Sequence, residues 1–316
     1  MIYGILTIVF FIAILFYFRI ADHFNIIDHP NERSSHSEIT IRGGGIIFLL
    51  AAICAEIMHP NYWLPILGIL IIGTISFLDD IHTLSNKLRL LFQLIAVTLV
   101  FLYLNIFNIE LFYTIILLYI LVIGIINMYN FMDGINGITG AYSLVILSGL
   151  QYVNLYQTSF VETDMIWLPI LACLVFLYFN FSKKAKCFAG DVGSVTIAFW
   201  IILLLLRLIF VSGHWAYILF FVVYGIDSVL TIVHRLLLKQ NIFKAHRLHF
   251  YQLLVNERKF SHLWVATSYA LLQAIIIVII ILNIKLSPLA LFITTIIPLV
   301  IVYVVFKPKI SKNLDR

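Results

Sequence analysis

The sequence predicts an all-α, polytopic membrane protein of about eleven helices, and three observations carry that prediction. Hydrophobic residues make up 63% of the 316 positions and charged residues only 11%, against about 25% charged in ordinary soluble domains. Mean hydropathy is +1.07. The apolar residues come in runs close to the roughly 20 needed to cross a bilayer as a helix, with no strand alternation, internal repeat or low-complexity linker between them. We read the whole chain, 1–316, as one integral-membrane domain.

In order, the runs predict helices over 2–20, 43–58, 63–78, 89–105, 111–126, 137–153, 165–181, 193–211, 216–235, 263–283 and 288–305. The first is too long for a signal-peptide core and lacks a basic flank and a small-residue cleavage site, so it is expected to be retained as a span. Several runs are short, which predicts broken or partly spanning helices. The cysteines Cys54, Cys173 and Cys187 have neither disulfide-framework nor zinc spacing and are expected to be free thiols.

The charges then orient the chain. Every one of the 20 Lys and Arg residues except Arg207 and Lys285 falls in alternate loops, at 21–42, 79–88, 127–136, 182–192 and 236–262, in the tail, or beside them. The positive-inside rule makes that side cytoplasmic, with the N-terminus outside and the C-terminus inside. The net charge of +5 is accounted for by these loops and implies no nucleic-acid partner. The unusual acids, Asp28, Asp79, Asp80, Asp133, Asp191 and Asp227, share the basic side, whereas Glu110, Glu162 and Asp164 read as plain solvated loop charges on the other. A secondary transporter is the alternative class. It would place its polar site near the bilayer midplane, and clustering at the helix ends favours an enzyme drawing one substrate from the cytosol and one from the lipid.

The most polar interruption is Asn127 to Gly140. Asn130, Asp133 and Asn136 recur every three residues and would share a face on a helical turn, offering amides and one carboxylate to a polar ligand. Asp79-Asp80 closes the third span. Adjacent carboxylates at an apolar boundary need a cation, a metal or a proton, and Lys87 and Arg89 follow. Ala189-Gly-Asp191-Val-Gly-Ser194 opens the eighth span, with Asn180 at the end of the seventh. A carboxylate and an amide oxygen suit Mg²⁺, which takes few protein oxygens and completes its shell with water and phosphate. The amides of Gly193 and Ser194 at a helix start suit an anion. Phe188 is either an interfacial anchor or a stacking ring. Cys187 has no histidine to activate it as a nucleophile. His246 and His249 lack the glutamate and third ligand of a zinc hydrolase. With Arg247 between them, phosphate binding is the better reading, since Arg matches phosphate geometry. Asp28 to His36, with Arg33, then Arg42-Gly-Gly-Gly45, form a further anion-binding loop of weak signal when taken alone.

Together these loops resemble the polyprenyl-phosphate N-acetylhexosamine-1-phosphate transferases, which include the initiators of O-antigen and teichoic-acid linkage synthesis and the peptidoglycan translocase. The resemblance is carried by Asp28-x-Pro-Asn-x-Arg33-Ser-x-His36, Arg42-Gly-Gly-Gly45, Phe77-Leu-Asp-Asp80 with Lys87 and Arg89, Asn130-Phe-Met-Asp133-Gly-Ile-Asn136-Gly, Asn180 with Phe188-x-Gly-Asp191-x-Gly-Ser194, and Arg247-x-His249, in order over about residues 20–255. It implies a multi-pass protein of the bacterial inner membrane, acting on a UDP-N-acetyl sugar and a polyprenyl phosphate and releasing UMP. It leaves a homodimer open.

By the same resemblance, Asp191 and Asn180 hold Mg²⁺, or Mn²⁺ in its place. Asp79 and Asp80 prepare the acceptor phosphate or support the metal, and Lys87 neutralises phosphate charge. Asn130, Asp133 and Asn136 face the nucleotide-sugar, Phe188 stacks on uracil, and Arg247 and His249 grip the diphosphate. Arg33, His36 and Arg42 belong to the substrate-binding loop. Two departures stand out. Ile39-Thr-Ile-Arg42 replaces the family's Pro-Thr-Pro-Arg, and His249-Phe-Tyr-Gln252 replaces a longer histidine run. The second departs from the peptidoglycan translocase and resembles O-antigen and capsule initiators. It predicts that Phe250 to Gln252 lie towards the sugar.

Overall fold

In a computed structural model, which describes residues 1–28, 39–108, 111–241 and 246–311, the chain is a helical membrane bundle. The helices are α1 (Ile2–His23), α2 (Ile46–Met58), α3 (Trp63–Ile81), α4 (Asn86–Tyr103), α5 (Phe112–Met132), α6 (Ile138–Tyr156), α7 (Asp164–Asn180), α8 (Gly190–Ser212), α9 (Val222–Leu237), α10 (Phe250–Asn256), α11 (His262–Asn283) and α12 (Pro288–Ser311). Among the described residues nine segments are long and apolar enough to cross a bilayer, and α2 and α7 are shorter apolar helices. The eleven predicted runs are therefore all present as helices. The expected short ones are real: the 13 residues of α2 rise only about 20 Å against a hydrocarbon core of about 30 Å. Sequence periodicity missed α10, a seven-residue helix in the longest loop, and a two-residue antiparallel ribbon that pairs Ile27 with Ile41 and Asp28 with Thr40.

Helix α8 is the axis of the bundle. Of its most apolar 18 residues 78% are buried, against 17% for α12, so α8 is surrounded by protein and α12 mainly by lipid. Helices α3, α5, α6 and α2 pack around α8, and α11 closes over α6. The start of α2 comes so close to the first turn of α8 that a Cβ on Gly45 would fall 2.6 Å from Gly193 N and 2.8 Å from Ala189 O. Only glycine fits there. The amides of Gly44 and Gly45 donate to the carbonyls of Phe188 and Ala189 at 2.8 and 3.0 Å, so the 42–45 loop is stitched to the start of α8.

The loops carrying most of the Lys and Arg all meet at one end of the bundle, called here the basic end. At the other end, Asp164 is not a plain solvated charge. It opens α7, lies 2.8 Å from His59 Nε2 and accepts the Tyr3 hydroxyl, so it ties α7 to α1 and α2. Glu162 is exposed as expected, and Glu110 lies outside the described residues.

The orientation in the membrane has a direct test. In a cysteine-free background, single cysteines at Lys184 and Lys259 are expected to resist an impermeant thiol reagent in intact cells, and one at Asp164 to react. Labelling at 259 from outside would reverse the assignment.

Candidate active site

At the basic end, α3 ends in Asp79 and Asp80, α8 begins at Gly190, and the two acids meet the helix start differently. Asp80 is buried. Its Oδ1 accepts the Asp191 amide at 2.9 Å and its Oδ2 the Val192 amide at 3.0 Å. It thus satisfies donors that a helix start otherwise leaves open. Gly190 has φ +71 and no room for a Cβ, which would strike the Asp80 carboxylate. Because α8 starts at Gly190, Gly193 and Ser194 lie inside its first turns, so the anion-binding helix start expected at their amides is displaced. The amides actually at the start already hold Asp80.

Two guanidiniums sit among three carboxylates. Arg42 Nε lies 2.7 Å from Asp80 Oδ1, and its Nη2 lies 3.7 Å from Asp191 Oδ1. Arg89 Nη1 lies 2.9 Å from Asp79 Oδ2 and 3.3 Å from Asp191 Oδ2. Asp79 also accepts the Leu84 amide at 2.6 Å and lies within hydrogen-bonding reach of Asp191. Asp191 is therefore the meeting point, touching both arginines without being committed to a backbone donor. Arg42 is aimed by its own main chain: the Tyr17 hydroxyl donates to Arg42 O at 2.7 Å. Lys87, by contrast, is exposed on the first turn of α4 and does not line the cavity.

Beside this cluster opens a cavity of about 240 Å³. Asn130, Asp133, Asn136, Asn180, Phe188, Arg42 and Asp191 line it. The geometry of the Asn130–Asn136 segment differs from the predicted helical face. Helix α5 stops at Met132 and α6 begins at Ile138, so only Asn130 is on a helix, and the turn brings the other two to the same wall. Asn136 is buried, donating to Ser182 O at 2.8 Å. The Asn180 oxygen accepts the Gly137 amide at 2.7 Å, and its Nδ2 donates to Cys187 O at 2.8 Å. Both amides act as struts between loops, and Asn180 keeps one lone pair for any other ligand. Cys187 is buried, which pushes its thiol well up, so it supplies no thiolate.

Burial pushes the Asp133 carboxyl up to about 7; the Asp80 charge adds to this, while the Thr139 hydroxyl, donating at 2.5 Å, and Arg42 oppose it. The folded protein thus holds this proton more tightly than the unfolded chain, where an Asp titrates near 3.9. The resulting stability is full below about pH 4, is lost as pH rises to about 7, and is constant above. Asp133→Asn is expected to flatten the fall in melting temperature between pH 5 and 7. An unchanged slope would show that another group is responsible.

The loop before α10 departs most from expectation. His249 is buried with Nδ1 3.5 Å from Asp227 Oδ1, and neither it nor Arg247 lines the cavity. Asp227 also accepts the Phe250 and Tyr251 amides at 2.8 and 3.2 Å and the Tyr269 hydroxyl at 2.7 Å, so it caps α10. Tyr251 is wholly buried under Gly134 and donates to Phe131 O at 3.0 Å. Of the three residues expected towards the sugar, Gln252 alone lines the cavity. His246 is pushed down to about 3 by burial, with His249, Arg235 and Lys307 adding to it, so it is neutral at physiological pH. Arg33 and His36 lie outside the described residues.

Two titratable residues of the cavity wall, Asp28 and His262, were not singled out as site residues. Asp28 stood among the unusual acids and at the head of the first anion-binding loop, without a role of its own. His262 gave no signal in sequence: it is the first residue of α11, and its Nδ1 accepts the Asn136 amide at 3.3 Å. Among the described residues no three His, Cys, Asp or Glu side chains gather as a metal cage.

Fold and site together define a multi-pass membrane protein with an arginine–carboxylate centre at the wall of a one-ended polar cavity. Residues 62–209 match the model of glycosyl transferase family 4. The phospho-N-acetylmuramoyl-pentapeptide-transferase of Dictyoglomus turgidum is 28% identical over 168 residues, 48% of this chain and 54% of that protein. The corresponding protein of Dictyoglomus thermophilum is 28% identical over 54% of this chain and 62% of its own length. The probable undecaprenyl-phosphate N-acetylglucosaminyl 1-phosphate transferase of Bacillus subtilis (strain 168) is 27% identical over 248 residues, 72% of this chain and 68% of that protein. The matches thus span less than two thirds of the two Dictyoglomus proteins. Over this segment the chain resembles glycosyl transferase family 4, its relatives here are polyprenyl-phosphate sugar-phosphate transferases by name, and it is a multi-pass protein of the bacterial inner membrane.

Proposed function

We propose that the protein transfers an N-acetylhexosamine 1-phosphate from a UDP-sugar to a polyprenyl phosphate, such as undecaprenyl phosphate, and releases UMP. The observation that carries this reading is the convergence of Arg42 and Arg89 on Asp191 at the cavity wall. A terminal oxygen of the lipid phosphate becomes bonded to the sugar-bearing phosphorus of the donor. The bond from that phosphorus to the bridging oxygen breaks, and UMP leaves with that oxygen. Such transfer is mainly positioning and neutralisation of charge. The two arginines face phosphate oxygens, Phe188 stacks on the uracil, and Asn130 and Asp133 face the nucleotide-sugar.

The residues fit a divalent cation. Three carboxylates against two guanidiniums leave an excess of negative charge, and Mg²⁺ asks for one or two carboxylates with phosphates completing its shell. Asp191 would hold it, Asp79 lies beside it, and Asn180 has one lone pair to give. When bound, such an ion neutralises charge on the phosphates in transit. The basic end then faces the cytosol, where the UDP-sugar is found.

Relatives named for two different activities match this chain. The His249-Phe-Tyr-Gln252 sequence supports an initiator of O-antigen, capsule or another lipopolysaccharide-type surface chain, with UDP-GlcNAc or a 6-deoxy N-acetylhexosamine donor. Gln252, placed on the cavity wall, is the residue we assign to sugar choice. The test is a panel of UDP-N-acetyl sugars given to purified protein with polyprenyl phosphate, reading UMP release and the mass of the lipid product. EDTA is expected to abolish turnover and Mg²⁺ or Mn²⁺ to restore it. No UMP from any donor would reject the reading, and full turnover in EDTA would reject the metal.

A further inference from the structure

A second, smaller cavity of about 20 Å³ lies between α3, α4, α5 and α8, lined by Ser76, Arg89, Gln93, Asn127, Asn130 and Asp191 among apolar neighbours. It shares Asn130 and Asp191 with the large cavity and no other residue, so these two side chains form the partition between the two spaces. Its volume accommodates one water or one phosphate oxygen. Gln93 stands one helical turn beyond Arg89 on α4 and is only 8% exposed. Asn127 on α5 donates through Nδ2 to its own helix at Ile123 O, 2.8 Å, and to Gln93 Oε1, 3.2 Å. The first bond fixes the Asn127 amide, and the second then fixes the Gln93 oxygen towards Asn127. The Gln93 Nε2 group is left to the notch, where among the described residues it donates to no protein atom. An amide on a side chain only 8% exposed, with its donor open to a small polar notch inside a span, points to a polar partner in that notch.

We propose that Gln93 is an acceptor-binding residue: its Nε2 donates to a terminal oxygen of the lipid phosphate, which reaches Asp191 from the α4–α5 side while the donor occupies the large cavity. This rests on the transferase reading above. Arg89 supplies the positive charge beside it, and the apolar neighbours Ile72, Ile75 and Phe92 suit the lipid end of a polyprenyl phosphate.

The competing account is a purely structural clamp between α4 and α5, and two variants separate them. Gln93→Glu keeps an oxygen for Asn127 but replaces the donor with a carboxylate facing phosphate. Asn127→Leu breaks the clamp. In detergent, polyprenyl phosphate is expected to raise the melting temperature of the wild type fully, of N127L in part, since the Gln93 amide is then free to rotate, and of Q93E not at all, with inorganic phosphate giving no comparable rise. In turnover, Q93E is expected to raise the acceptor KM about tenfold and leave the donor KM within about twofold. Equal stabilisation of Q93E and wild type by the lipid phosphate would overturn the inference. So would no stabilisation of the wild type, or a loss confined to UDP-sugar binding. A wild type stabilised by lipid phosphate yet releasing no UMP would defeat the transferase reading and leave the notch standing.

Discussion

Asp191→Asn is expected to reduce turnover about a thousandfold, the scale seen when one group aimed at developing charge is removed, while the protein still folds. The separation of the two effects follows from where Asp191 makes its bonds. Its backbone amide, which the substitution keeps, is the group that holds Asp80. Among the described residues its side chain meets the shared guanidiniums and Asp79, and an asparagine oxygen can still accept from both arginines. The lost quantity is the negative charge that a divalent cation needs. Melting temperature in detergent should therefore shift little, and UMP release should fall without recovery at high Mg²⁺. Turnover within about tenfold of wild type would remove Asp191 from the centre of the mechanism.

Gly45→Ala is expected to cost about 1–3 kcal/mol of stability, the usual range for overpacking, and about a hundredfold in turnover, as small displacements of catalytic groups can. The atoms in the way of the new methyl are backbone atoms of Gly193 and Ala189, which have no rotamer to change. Relief requires α2 to move off α8. The 42–45 loop would move with it, taking Arg42 away from Asp80 and Asp191. The same substitution at Gly4 or Gly124, where a Cβ meets nothing within 4 Å, should be silent. A melting temperature for Gly45→Ala equal to that of Gly124→Ala would show that the contact between the two helices is looser than described.

The spans were legible because hydrophobic length is a property of single segments. The gathering of the acids was legible because charge asymmetry sorts loops by side without any knowledge of packing. What the sequence did not carry is who partners whom across segments. Asn180 and Asp191 both read as oxygen ligands, yet Asn180 is a strut for Gly137 and Cys187 while Asp191 keeps its carboxylate for the arginines. Asp227 read as one more boundary acid, and it organises α10 from a different helix. Tyr251 and Gln252 are neighbours in sequence, but one turn of α10 buries the first beneath Gly134 and presents the second to the cavity. The segment 127–136 read as a loop in which Asn130, Asp133 and Asn136 would share a face if it turned as a helix; α5 runs on to Met132, so Asn130 is helical and a turn brings the other two to the same wall.

The carboxylate seated on the first amides of α8 has a consequence for inhibitors. Helix starts commonly recruit phosphate from solution, but here the berth is taken by a tethered competitor. A group attached to the same chain and already positioned has an effective concentration in at least the millimolar range, and free phosphate or sulfate must outcompete it at every encounter. Simple oxyanions should therefore bind poorly at that helix start. A compound built to mimic the nucleotide-sugar gains nothing from an anionic group aimed at that helix. Its affinity has to come from the side chains on the cavity walls.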